Sequence, residues 1–418
     1  MSIGKDFFYD TLKYIPIKIM PAFSGILTVF FLTKKGLLDL PSYVDYTFII
    51  AALLICSQIV GGWVNSSVIY YYTGYEHDSD REDFAVNISY LQLFFLLLGG
   101  VVLFSVIMFT LQSFVVALFT VGILFLQTFL TFNYSFFQAK RDIKSQVNAT
   151  FLQALLQIAG VIGCYYFFKG SVGYVFFFLF LSYLITGVYM IVMKKNVMHL
   201  KPGADVNIDF CKKILAYGLP ICLWFFSTQL YQIGDRILFK YFNLTYHVGN
   251  YVSFRDLSVG LSGFIAMPLL FASHPIIIQL SKNPENKSVI EKLLRRNIGI
   301  LSAVFLPVMI ITYFYGDFLI QYIVGKQYVL KPALMVAVLF TILLGVIAIY
   351  LQKGIEAKGN TMLMLKISMI TAVFSIVLNL VFIKTYGVVS AIYISLLSHI
   401  VYCVGIYLYS RKVFKIFL

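Results

Sequence analysis

The chain has 418 residues, of which 60% are hydrophobic and 17% aromatic while only 12% are charged; its mean hydropathy is +0.88. Soluble domains carry about 25% charged residues, and a globule in water cannot hide this much apolar surface, so composition excludes a soluble enzyme, a nucleic-acid-binding protein and a disordered scaffold. The net charge of +14 does not revive the nucleic-acid reading, because the positive residues sit between apolar runs, as they do in polytopic membrane proteins.

A helix needs about 20 mostly apolar residues to cross a ~30 Å hydrocarbon core. Taken in chain order, that ruler places spans at 15–33, 46–70, 85–109, 113–137, 147–168 and 172–193, then at 213–240, 248–280, 297–315, 332–352, 362–383 and 388–409. The runs lack the alternating pattern and roughly ten-residue length of barrel strands. The expected fold class is therefore an all-α polytopic membrane protein of about twelve transmembrane helices. Ahead of the first span, Lys5, Asp6, Asp10 and Lys13 precede an apolar run with no small-residue cleavage site, so no cleaved signal peptide is expected. The five cysteines form no CxxC pair and are expected to be buried thiols.

Positive residues set the orientation. With both termini cytoplasmic, the inner side collects Lys5, Lys13 and Lys18, Lys140 to Lys144, Lys194 to Lys213, Lys282 to Arg296, Lys353, Lys358 and Lys366, and Arg411 to Lys415. The outer side holds only Lys34, Lys35, Lys169, Lys240, Lys326, Lys331 and Lys384, a bias that the positive-inside rule reads directly. One inner loop runs against it, with Glu76, Asp78, Asp80, Glu82 and Asp83 around Arg81, but acidic residues weigh little in that rule.

The two halves repeat weakly and in parallel. Gln138-Ala139-Lys140 corresponds to Glu356-Ala357-Lys358, Lys194-Lys195 to Arg411-Lys412, Gly170 to Gly387, and Tyr14-Ile15-Pro16 to Gly218-Leu219-Pro220. A duplicated six-helix unit accounts for these matches, with an N-terminal lobe at 1–195, a cytoplasmic linker at 196–212 and a C-terminal lobe at 213–418. Repeats of this kind place a transport path between pseudo-symmetric halves.

Signals of covalent chemistry are missing. Gly325-Lys326-Gln327 lacks the hydroxyl residue and the strand of a phosphate loop, so ATP is not an expected partner. His77, His199, His247, His274 and His399 show no metal-ligand spacing, and no cofactor is expected. Translocation without bond-making is the favoured activity.

Ionisable groups inside a span cost about 2.5–3.5 kcal/mol each on translocon scales and need partners or a watery cavity. Asp235-Arg236 in the seventh span and Arg255-Asp256 in the eighth lie equally far from the turn near Thr245. An antiparallel hairpin therefore brings them to similar depth, so that Asp235 with Arg255, or Arg236 with Asp256, is poised to pair. Two readings stay open: a closed double salt bridge that holds two helices together, or a site where at least one arginine meets an anionic substrate. Lys18, between Pro16 and Pro21, either snorkels to the headgroups or adds to a cationic entrance. Gln58, Asn65, Thr228 and Gln229 are candidates for lining the same path, or for interhelical hydrogen bonds. Tyr70-Tyr71-Tyr72 fits an interfacial belt. Between Tyr46 and Met193 the spans contain no Asp or Glu. Only Asp235 and Asp256 remain as proton carriers, and carboxylates kept ionised by adjacent arginines serve poorly in that role, which counts against drug–proton antiport.

Three segments carry a family resemblance. Gly234-Asp235-Arg236-Ile237-Leu238 followed by Val248-Gly249-Asn250-Tyr251 resembles a stretch of polysaccharide exporters, as do Asn379 to Ile383 with Tyr386-Gly387-Val388-Val389-Ser390-Ala391, and Phe137 to Arg141. Lys384 and Ser390 stand where that family usually has proline and glycine. The family is that of the O-antigen and capsule flippases in the multidrug/oligosaccharidyl-lipid/polysaccharide exporter superfamily. The resemblance implies two six-helix lobes around a central cavity and a lipid-linked oligosaccharide flippase acting by alternating access in the bacterial cytoplasmic membrane. It implies undecaprenyl-diphosphate-linked oligosaccharide as cargo, membrane lipids as surroundings and the polysaccharide polymerase machinery as a further partner. Lys18, Arg236 and Arg255, with Gln58, Asn65 and Gln229, are then the expected substrate contacts, and Asp235 and Asp256 the ion-coupling or salt-bridge residues. The competing readings are an ion-coupled multidrug exporter of the same superfamily and a membrane polysaccharide polymerase or ligase.

Overall fold

Apolar runs bounded by Pro, Gly and charged loops have one stable form in lipid, since a helix satisfies its own backbone hydrogen bonds. A computed structural model describes residues 3–72, 78–140, 142–168, 170–193, 207–244, 248–281, 283–325, 330–356 and 360–412; for 3–15, 18, 78, 79, 265, 268, 271, 272, 274, 275, 278, 279, 284 and 323 it describes the backbone alone. Among the described residues there is no strand. The helices are α1 (Ile3–Leu32), α2 (Leu40–Ser57), α3 (Trp63–Tyr72), α4 (Asp78–Leu111), α5 (Phe114–Lys140), α6 (Ile143–Phe167), α7 (Val172–Val192), α8 (Ile208–Tyr241), α9 (Val248–Ser281), α10 (Lys287–Ile323), α11 (Pro332–Leu351), the short α12 (Lys353–Glu356) and α13 (Thr361–Ser410). Nine helices among the described residues are long and apolar enough to cross a membrane.

α13 runs for 50 residues, more than twice what one crossing needs. Gly387 interrupts it with φ 56° and ψ −134°, a conformation open to glycine and strained for other residues. Ser390 Oγ donates to the Gly387 carbonyl at 2.8 Å. The stretch thus comprises two spans around a tight turn, as the sequence places them. Gly170, its counterpart in the repeat, also has positive φ, at 85°.

Packing divides the chain into two compact units, Leu37–Gln229 and Met1–Gly36 with Leu230–Leu418. These do not coincide with the halves 1–195 and 213–418, because α1 lies along α9 and clusters with the second half. The first part of α8 belongs to the other unit, where Gly218 sits against Trp63 so closely that a β-carbon would fall 2.0 Å from the indole.

In the unit Leu37–Gln229, Trp63, Val64, Val68, Phe84, Ile88, Phe132, Phe136 and Ile214 form a buried aromatic and aliphatic core. α2 and α3 are joined by a π-helical turn, Gln58–Gly62. A π turn leaves carbonyls without their regular partners, and two are taken up from other helices: Gln92 Nε2 donates to Val60 O at 3.2 Å and Cys222 Sγ to Ile59 O at 3.4 Å. Outward faces are apolar, as lipid contact requires: Phe94, Leu98, Val101 and Phe109 on α4, and Ile310, Phe314, Phe318 and Tyr322 on α10, are all exposed.

In the other unit, Lys34 follows α1 and donates from Nζ to the carbonyls of Gln321 at 3.0 Å and Tyr322 at 2.6 Å. A cation at a helix C-terminus satisfies end carbonyls and complements the dipole.

Candidate functional site

The charged residues singled out in α8 and α9 come together within the unit Met1–Gly36 with Leu230–Leu418. Asp235, Arg236 and Arg255 are 6%, 4% and 6% exposed, so each needs a partner. Both anticipated pairings are present. Arg236 Nη2 bonds Asp256 Oδ1, and Arg255 Nη1 faces both Asp235 oxygens at 3.4 Å.

The two pairs are unequal. Arg236 and Asp256 meet head-on at a partly exposed position, the aspartate side chain being 30% exposed. Asp235 is held chiefly by others: Tyr251 Oη donates to Oδ2 at 2.6 Å and the Arg236 backbone N–H to Oδ1 at 2.9 Å. Charge-assisted N–H···O bonds are normally about 2.7–2.9 Å long, so the 3.4 Å separation leaves Arg255 loosely tied. Arg255 Nη1 also donates to Tyr251 Oη at 3.1 Å, and the guanidinium carbon stands 5.8 Å from the centre of the Tyr251 ring.

Among the described residues Arg255 bonds through Nη1 alone. The guanidinium has five donors, and Arg255 lines a cavity of about 190 Å³ inside this unit. α8 contributes Gln232, α11 contributes Thr341 and Gly345, and α13 contributes Ser395 and His399. Sequence reasoning missed Tyr251, Gln232, Ser395 and His399. The histidine has no metal-ligand spacing; its signal is the pairing of Ser395 and His399, two polar residues one helical turn apart in an apolar run.

The remaining candidates lie elsewhere. Gln58 is the first residue of the π turn, Asn65 lies in α3, and Gln229 closes the unit Leu37–Gln229. All three are partly exposed, and none makes a side-chain hydrogen bond to another described residue. Lys18 lies on α1, and its side chain is outside the described residues. Thr228 donates to the Phe225 carbonyl at 2.7 Å. Tyr70 is 61% exposed and stacks on Tyr217 with ring centres 4.6 Å apart, while Tyr72 turns inward against Phe136.

The model of the polysaccharide biosynthesis protein family matches residues 4–281. The chain belongs to that family. No curated protein matches it at a significant level. Among solved structures, this family member is similar to the lipid II flippase MurJ in an inward closed conformation, at a TM-score of 0.71 and 13% identity over 96% of this chain and 88% of that one. It is similar to an inward-facing multidrug resistance MATE family transporter of the MOP superfamily, at 0.62 and 14% identity over 95% and 94%. A third is a MOP superfamily transporter from Pyrococcus furiosus, in which a binding pocket of reversed polarity suggests a different function, at 0.57 and 14% identity over 96% and 94%. At these identities the likeness concerns the fold. The polysaccharide biosynthesis member described here is a multi-pass helical membrane protein with the fold of these transporters.

Proposed function

We propose that the chain is a flippase that moves an undecaprenyl-diphosphate-linked oligosaccharide repeat unit from the inner to the outer leaflet of the bacterial cytoplasmic membrane by alternating access, for O-antigen or capsule biosynthesis, with both termini cytoplasmic. The observation that carries this reading is Arg255, a buried cation on α9 with guanidinium donors left over beside a cavity. Burial of an ion is costly unless it is used, and an anionic cargo uses it. Membership of a polysaccharide biosynthesis family and the fold shared with a lipid II flippase support the same cargo class. In this reading Lys18 and Arg236 join Arg255 in attracting the diphosphate, while Gln58, Asn65 and Gln229 hydrogen-bond the glycan. The polymerase that extends the repeat unit is the proposed downstream partner.

An ion-coupled multidrug exporter has the same fold, but its coupling ion needs an available carboxylate. Asp235 is engaged by Tyr251 and Arg255, and Asp256 by Arg236.

Deletion of the gene followed by lipid extraction tests the proposal. Complete lipid-linked repeat units should accumulate on the cytoplasmic leaflet, and Arg255→Ala should reproduce that accumulation at normal protein level. Normal surface polysaccharide in the deletion strain would refute the flippase reading.

A further inference from the structure

The cavity beside Arg255 has a hydrogen-bonding pattern that the protein leaves incomplete. His399 is 4% exposed, and its Nδ1 lies 2.8 Å from the Ser395 carbonyl. A carbonyl only accepts, so Nδ1 carries the hydrogen, and in the neutral ring Nε2 is left as a bare acceptor. No described residue donates to it. Tyr231 packs edge-to-face on the ring with centres 5.2 Å apart, and the neighbouring wall is Gly345, where a β-carbon would stand 3.4 Å from Cδ2 and 3.5 Å from Nε2. Ser395 is 6% exposed, and its Oγ is buried with no hydrogen-bond partner among the described residues. Arg255 lines the same cavity and has donors beyond the Nη1 that Asp235 and Tyr251 engage.

Buried polar groups are almost always satisfied, so this constellation defines the ligand chemistry that would complement it. It needs an oxyanion to accept from Arg255 and a hydroxyl to donate to His399 Nε2, with Ser395 forming part of the wall between them and the rest of α13. The cavity of about 190 Å³ is smaller than the roughly 300–1,000 Å³ of sites for drug-sized ligands. The volume suits one sugar-sized group.

We propose that the cavity lined by Arg255, Ser395 and His399 is a subsite for a single hydroxylated oxyanion, the chemistry shared by an acidic sugar and a hydrogen phosphate. The proposal rests on the flippase reading only for the source of that group, an acidic residue of the glycan or a phosphate of the carrier. The recognition chemistry stands on the cavity itself.

Binding of D-glucuronate, inorganic phosphate and D-glucose to the purified full-length protein in detergent, measured by calorimetry, tests it. Glucuronate or phosphate should bind at least tenfold more tightly than glucose, and whichever of the two is tighter identifies the source as glycan or phosphate. Arg255→Gln and His399→Leu should each weaken that binding at least tenfold. Gly345→Ala, whose added methyl has room beside the imidazole, should keep the wild-type melting temperature and still weaken binding by covering Nε2. Equal binding of glucose, binding of none of the three, or affinities unmoved by Gly345→Ala and Arg255→Gln would each overturn the subsite. The two readings fail separately. A deletion strain with normal polysaccharide removes the flippase and leaves the ligand titration intact, whereas a flat titration removes the subsite and leaves the lipid-extraction result intact.

Discussion

Tyr251 Oη lies 2.6 Å from Asp235 Oδ2, whereas Arg255 Nη1 lies 3.4 Å from the same oxygen. The neutral phenol therefore holds the aspartate more closely than the cation does. Tyr251→Phe removes that bond and leaves Asp235 to Arg255 and the Arg236 backbone. Hydrogen bonds to charged groups contribute about 1.5–3 kcal/mol, and a stability loss in that range is expected on chemical denaturation in detergent. Transport should fall as well, because Arg255 closes on Asp235; a variant with wild-type stability and wild-type transport would show that the phenol does not set the pairing.

Arg236 and Asp256 should behave as a unit. Removing one partner of a buried ion pair leaves an uncompensated charge and costs about 3–5 kcal/mol, and the partial exposure of Asp256 puts this pair at the lower end. Arg236→Met, Asp256→Leu and the double variant form a cycle in which the double should be more stable than either single. Additive losses on thermal unfolding would mean that the two side chains are independent.

Gly387→Ala tests the turn that splits α13. Backbone strain of this kind costs about 1–3 kcal/mol, and no neighbouring atom lies within 4 Å of the added methyl, so conformation alone is probed. A lowered melting temperature is expected. Gly163→Ala, at a helical glycine whose surroundings are equally open, should show no such loss.

Asp39 caps α2 outside the membrane spans, accepting from the Ser42 N–H at 3.0 Å. The hydrogen bonds from the Ser42 side chain and backbone hold its carboxyl below the ordinary aspartate value. Since the folded value is the lower one, the cap's contribution is present above the ordinary carboxylate range and is lost as pH falls through the folded value. Asp39→Asn should remove that pH dependence while keeping the cap, and Asp39→Ala should cost about 1 kcal/mol at neutral pH, both read from melting temperature against pH.

Sequence by itself determined the all-helical, membrane-spanning fold class, because a fixed hydrocarbon thickness turns long apolar runs into crossing helices. It also determined that Asp235 and Arg255 reach one depth, since equal distances from a turn on antiparallel helices force it, and it marked Gly387 as a turn. Packing was not legible in the same way. α1 joins the second half by lying along α9, a packing between residues far apart in sequence that leaves no periodic trace. The π turn at Gln58–Gly62 depends on Gln92 and Cys222, which arrive from other helices to occupy its carbonyls. His399 reads as an isolated residue until α8, α9, α11 and α13 converge around it. Only the tertiary structure decided that its Nε2 and the spare donors of Arg255 border one cavity, because which polar groups stay unsatisfied follows from which helices meet, and no single helix encodes its neighbours.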